Sequence, residues 1–139
     1  MLEIIFDRQL DLQIKSFNID PALLDDEHKI QFIKDMSLAL SDELHEMLAE
    51  IGWKPWAKSR HINRDAVAGE LIDMLHFWVN LCLAIDLQPG EIKALYLQKA
   101  AINQKRQEAG YDGVSSKCVS CGRALDDPAV KCTKDQCAA

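Results

Sequence analysis

Apolar side chains recur every three or four positions along most of this chain, and hardly anywhere at every second position. Leu2, Ile5, Phe6, Leu10, Ile14 and Phe17 fall on one face at helical spacing and predict a first helix over residues 2–18. Asp20-Pro21 reads as a cap followed by a first helical position, and a long helix over 26–51 follows, with Gly52 as its stop. Residues 53–62 break the periodicity: Pro55, two Trp and three basic residues predict a loop. Asn63 is placed to cap a third helix running to Leu87, closed by Gln88-Pro89-Gly90, and a fourth spans 91–109 up to Gly110. Without repeats or strand patterns ahead of the tail, the chain reads as all-α: a four-helix-bundle core over 1–113 and a small tail over 114–139.

The third helix differs from the others. With Glu70 as origin, Asp73 lies at about 300°, Phe77 at about 340° and Asn80 at about 280°, one narrow stripe. Leu71, Ile72, Met74, Leu75, Trp78, Val79, Leu81 and Leu83 cover almost every other direction, the pattern of a helix buried on nearly all sides. A buried carboxylate must be paired, protonated or bound to a metal. Cations are scarce here, since none follows Arg64 before Lys93. On the second helix Glu43 and Glu46 form an i, i+3 pair, as Glu70 and Asp73 do on the third. If the two helices run antiparallel, four hard oxygen ligands meet at one point.

Four carboxylates call for about four positive charges, which two Mg²⁺ supply, with Mn²⁺ able to substitute. Magnesium keeps positions open for phosphate oxygens and water, so phosphoryl chemistry is the natural use. Iron is the rival metal, because Asp42-x-x-His45 and Asp73-x-x-His76 echo the repeats of di-iron bundles, with Asp where Glu is usual.

Charge sharpens this picture. The 139 residues suit one main core, and their net charge of -6 argues against a nucleic-acid coat or a basic membrane-surface binder. Residues 114–139 hold four bases and three acids, so the acid excess lies in the main body. No run approaches the ~18 apolar residues of a membrane span and the start lacks a basic, then apolar, leader pattern, so the expected compartment is cytoplasmic.

Four of the five Cys crowd the tail. Cys118-x2-Cys121-Gly122 followed by Cys132-x4-Cys137 predicts one structural Zn²⁺ closed by four thiolates, steadying a dimer, covering the active site or docking a protein partner. Cys82 is most simply a small core residue.

Together, Glu43-x-x-Glu46 and Glu70-x-x-Asp73 resemble the acidic motifs of the all-α nucleoside triphosphate pyrophosphatase superfamily, which includes MazG-like proteins and the dimeric dUTPases. The run Glu70-Leu-Ile-Asp73-Met-Leu-His76-Phe77 looks like the dimeric dUTPase form of the second motif. Lys99-x-x-x-Asn103-x-x-Arg106-Gln107-x-x-Gly110-Tyr111 looks like that branch's C-terminal motif. The resemblance covers residues 2–113 and does not include the cysteine tail.

It implies Mg²⁺-dependent hydrolysis of a deoxynucleoside triphosphate to monophosphate and pyrophosphate by a homodimer or higher oligomer. Glu43, Glu46, Glu70 and Asp73 would be the metal ligands, and Glu43 or Glu46 the general base. Lys99, Asn103, Arg106, Tyr111 and Lys54 would hold phosphates. Gln9 or Gln13, His76, Asn80 and Trp53 or Trp56 would surround the base. The expected substrate is dUTP, with another triphosphate such as dGTP or dCTP as the alternative. A non-enzymatic zinc-containing helical interaction module is the reading from a different class.

Overall fold

In the computed structural model, which describes residues 1–114 and 116–127, helix α1 occupies Leu2–Leu12 and continues as a π-helical turn over Gln13–Phe17. Asn18 ends this segment in the left-handed region, φ 54°, where its short polar side chain is tolerated. Asp20 accepts the amide of Ala22 and opens a single 3-10 turn, Pro21–Leu23. Helix α2 (Asp26–Ala49) starts at Asp25, whose carboxylate accepts the His28 amide at 2.9 Å, with Asp26 and Glu27 placed favourably at the positive end of the helix dipole.

Helix α3 runs from Arg64 to Ala84 and α4 from Pro89 to Glu108. Two helix ends close alike: the Leu87 amide reaches back to the Cys82 carbonyl and the Tyr111 amide to that of Arg106, with Asp86 (φ 55°) and Gly110 (φ 70°) as the left-handed residues. Among the described residues there is no strand, only two isolated antiparallel bridges, Ile51 with Ile62 and Lys117 with Ala124. The all-α expectation holds.

Asn63 does not cap α3 with its side chain. Its amide donates instead to Glu50 Oε2 at 2.8 Å, and its backbone N–H to the Glu50 carbonyl at 3.0 Å. The side chain that would have satisfied an orphan amide ties the two ends of the α2–α3 connection together.

The chain divides into two compact units, one of Met1–Pro89 and one beginning at Gly90. In the first, α2 and α3 form the main packed pair and α1 lies against α3. Its core holds Phe6, Phe32, Val79, Cys82 and Ala84, and Phe6 meets Trp78 edge to face with centroids 6.4 Å apart. Cys82 is a buried core thiol, as expected.

The expected all-round burial of α3 is corrected. Leu71, Ile72 and Ile85 are 51%, 54% and 61% exposed, because two neighbouring helices cannot cover a helix that is apolar in nearly every direction. By length and mean hydropathy α3 is also the one helix among the described residues apolar enough to cross a bilayer, although Glu70, Asp73, His76 and Asn80 interrupt its apolar run. Of its polar stripe, Asn80 is buried and Glu70 half-buried, while Asp73 is exposed.

Candidate active site

The two acidic pairs meet. Glu43 and Glu46 of α2 and Glu70 of α3 bring carboxylate oxygens within 4.8 Å of one another. Asp73, one turn beyond Glu70, is exposed and lies within electrostatic reach of Glu43. Glu43 and Glu70 are half-buried, and Glu46 is exposed. Burial raises the proton affinity of Glu43 above the ordinary carboxylate range, followed by its hydrogen bond with Glu70 and then the charges of Glu46, Asp73 and Glu70. Among the described residues no ion pair involves any of these four acids. Converging carboxylates that raise the proton affinity of Glu43, with hard oxygens of three acids within 4.8 Å of one another, fit divalent cations.

One to two turns beyond Asp73 on α3, a second polar group joins that helix to α1. Gln9 of α1 donates from Nε2 to Asn80 Oδ1 at 2.8 Å, and its Oε1 is 2.6 Å from His76 Nδ1. Asn80 Nδ2 points at Met36 Sδ, 3.2 Å away, a weak acceptor that leaves much of that donor's capacity unused. Gln9 and Asn80 are both buried, so each amide here is worth pairing. The register is common to both groups: Met36 faces Asn80, and two turns along, Glu43 and Glu46 face Asp73 and Glu70. Seven residues of helix set the separation at about 10 Å.

A cavity of about 290 Å³ between α1 and α3 is lined by Gln9 and His76 among apolar side chains that include Ile5, Leu12, Ile72 and Leu75. Gln13 is buried on the π-helical turn, one turn from Gln9. His45 turns back to the Ser41 carbonyl, 2.6 Å away, and takes no part in the acidic cluster, so the Asp42-x-x-His45 half of the di-iron pattern is not assembled.

The predicted loop is present and its shape is set by backbone groups. The Gly52 amide donates to the His61 carbonyl at 2.9 Å. Arg60 turns inward, with Nη1 2.7–3.3 Å from the carbonyls of Gly52, Lys54, Ala57 and Ser59, and Nη2 donating to Pro55 at 3.0 Å. Trp53 and Trp56 are left outside, 49% and 76% exposed and edge to face at 6.4 Å, with Lys54 Nζ 6.0 Å from the Trp53 ring. Nothing in the periodicity marked Arg60. The only clue was an arginine inside a glycine- and proline-bearing turn rich in free carbonyls.

In the second unit, Lys99, Asn103 and Arg106 do share a face of α4, but the cations already have anionic partners. Lys99 pairs with Asp127, whose side chain is buried, and Arg106 grips Asp126 through Nε at 2.7 Å and Nη2 at 2.5 Å. Asn103 Oδ1 lies 3.5 Å from Arg106 Nη1, and the guanidinium stacks 5.3 Å from the Tyr111 ring centroid. Arg106 holds Asp126 below the usual carboxylate range.

The tail upstream of these acids folds back on itself through Cys118 N–H to Arg123 and Leu125 N–H to Ser116. Cys118 and Cys121 sit in its turn, and the amides of Ser120 and Cys121 on the Cys118 sulfur pull its proton affinity down. Cys132 and Cys137, the other half of the expected zinc motif, lie outside the described residues.

Comparison with known proteins adds to this geometry. Residues 2–90 match the family described as dUTPase, a span that takes in both acidic pairs, the amide group and the Trp loop. The dCTP pyrophosphatase of Enterobacteria phage T4 is 26% identical over 141 aligned positions, 79% of this chain and 82% of that protein. The dCTP pyrophosphatase of Enterobacteria phage LZ5 is 28% identical over 106 positions, 59% of this chain and 62% of its own length. No solved structure is a significant match.

Proposed function

The chain belongs to the dUTPase family and is a nucleoside triphosphate pyrophosphatase, and on that premise we propose that it hydrolyses a pyrimidine deoxynucleoside triphosphate, dCTP ahead of dUTP, to the monophosphate and pyrophosphate. The observation that carries this reading is the Gln9–His76–Asn80 group, which joins α1 to α3 and whose Asn80 stands two helical turns from Asp73 on α3. An amide side chain offers both a donor and an acceptor, so Gln9 and Asn80 can match the edge of a pyrimidine, and the names of both phage relatives favour cytosine over the expected uracil. Trp53 or Trp56 supplies an aromatic face for the base.

Glu43, Glu46, Glu70 and Asp73 are the residues that would hold Mg²⁺. Bound there, the cations neutralise triphosphate charge and stabilise the charge that develops on the leaving pyrophosphate. Glu43, less exposed than Glu46, is placed to take the proton from water as that water attacks the α-phosphorus and the bond to pyrophosphate breaks. Lys99, Asn103 and Arg106, with Tyr111 and Lys54, bind phosphate oxygens. A second copy of the chain covers the exposed apolar face of α3, giving a homo-oligomer. Cys118 and Cys121, with Cys132 and Cys137, hold a structural Zn²⁺, a reading supported by the two amides that already favour the Cys118 thiolate.

A panel of deoxynucleoside triphosphates with Mg²⁺ or Mn²⁺ tests the reading. The expected result is release of monophosphate and pyrophosphate, with kcat/KM for dCTP about 10²-fold above the purine nucleotides. Preference for a purine would remove the base assignment, and no pyrophosphate release from any nucleotide would remove the activity. Metal analysis of the same preparation should give one zinc per chain, lost in Cys118→Ser with pyrophosphatase chemistry largely kept. A zinc-free native protein would refute the four-thiolate site, and a monomer at all concentrations in sedimentation would refute the covered α3 face.

A further inference from the structure

The cationic face of α4 is occupied by the chain itself. Arg106 gives both donors of one guanidinium edge to Asp126, turns its remaining nitrogen toward Asn103 and places its ring-stacking face on Tyr111. Its side chain is 13% exposed, so little of it is left for a further anion. Lys99, two helical turns away on the same face, is joined to Asp127, whose side chain is 2% exposed. Two adjacent carboxylates thus span two cations set seven residues apart, much as neighbouring phosphate groups of a polyphosphate would.

The same tail segment is a short hairpin, closed by Leu125 N–H to Ser116 at 2.8 Å and Cys118 N–H to Arg123 at 2.7 Å, that ends at these acids. These bonds tie the two arms of the hairpin together next to the acids. A cavity of about 630 Å³ lies over the junction, lined by Lys105, Arg106, Tyr111, Ser116 and Asp126 among others. Ser116 Oγ, shielded from solvent, makes no hydrogen bond among the described residues.

We propose that Asp126 and Asp127 are a built-in competitor for polyphosphate: they occupy Lys99 and Arg106 in the resting chain, and substrate phosphates bind these side chains only by displacing the tail hairpin. The proposal rests on the reading of Lys99 and Arg106 as phosphate-binding residues. Taking the cation away from a buried carboxylate is costly, so phosphate capture of Lys99 and release of the hairpin occur together. Affinity for substrate is then reduced by the fraction of chains in which the hairpin is closed.

The test compares full-length Asp126→Asn/Asp127→Asn with Arg106→Gln. If the hairpin is closed in most chains, the double variant lowers KM for the preferred nucleotide and the inhibition constant of inorganic pyrophosphate by roughly tenfold, with kcat unchanged. A KM that is unchanged or higher in the double variant, while Arg106→Gln raises it, overturns the competitor and leaves the phosphate-binding reading standing. A KM indifferent to Arg106→Gln overturns that reading, and the competitor with it. Because the variants can disturb the tail, amide exchange is also followed in the unaltered chain. Inorganic tripolyphosphate should speed exchange at Leu125 and its neighbours, and unchanged or slower exchange there contradicts displacement.

Discussion

Glu46→Gln is expected to abolish turnover while the helices stay folded. The substitution keeps the size of the side chain and removes a charged ligand from the point where Glu43, Glu46 and Glu70 converge. A cation that loses a carboxylate at this position stabilises the transition state less by several kcal/mol, or about 10³-fold in kcat. The measurement is steady-state pyrophosphate release, with circular dichroism to establish that α2 is intact. Retention of more than a tenth of the native rate would mean that Glu46 is not a ligand.

The same cluster makes an opposite prediction for stability. Glu43 has its proton affinity raised in the folded state, by burial first and then by its acidic neighbours, so the folded chain holds that proton more tightly than the unfolded one. Its contribution to stability is present in acid and is lost as pH rises through the ordinary carboxylate range toward neutrality. Metal-free Glu46→Gln should therefore melt a few degrees above the native chain at pH 7. Mg²⁺ should raise the melting temperature of the native chain more than that of the variant. A variant that is less stable without metal would show that the acids are not in conflict.

Gly52→Ala is expected to damage both stability and activity. A Cβ at this position would lie 2.5 Å from the Ser59 carbonyl oxygen, 2.9 Å from Arg60 Cα and 3.0 Å from the His61 nitrogen, all of them backbone atoms. The two arms of the loop must separate, weakening the Gly52–His61 hydrogen bond and pulling carbonyls from Arg60. Overpacking of this kind costs about 1–3 kcal/mol. With the loop holding the aromatic face proposed for the base, a displacement of about 1 Å there would cost up to about 10²-fold in rate.

Gly69 is the control. Apart from its own turns of helix, nothing lies within 4 Å of a Cβ built there, in the second turn of α3, so Gly69→Ala should be neutral or add up to about 1 kcal/mol. Thermal melts of the two variants side by side decide it. Equal melting temperatures would show that the loop yields without cost.

Helix boundaries and the acidic pairs were legible in the sequence because both depend on local periodicity. An i, i+3 carboxylate pair announces its face of the helix, and only the antiparallel register of α2 and α3 remained to be supplied. The burial of α3 was misread for a related reason. Periodicity reports how many directions are apolar, not which molecule covers them, and one chain covers only part of Leu71, Ile72 and Ile85.

Asn63 had the right residue type for a cap, but the pattern could not show that Glu50, thirteen positions away, claims its amide. Asp126 and Asp127 left no signal at all, since two adjacent acids in an aperiodic tail look the same whether they face water or Arg106. Arg60 was hidden in the same way, because what it recognises is carbonyl oxygens, which every residue has.

The shared register of α2 and α3 makes this helix pair a ruler. The amide group at Asn80 and the acids at Glu43 and Asp73 are fixed on rigid helices, and the interval between them changes only in steps of the helix repeat. Moving the amide group by one turn would shift it about 5.4 Å, more than a bound nucleotide could follow while keeping both ends engaged. On the proposed reading, discrimination by length is thus separate from discrimination by base: exchanging Gln9, His76 or Asn80 would suit another base, while the span of base, sugar and phosphate that fits would stay the same.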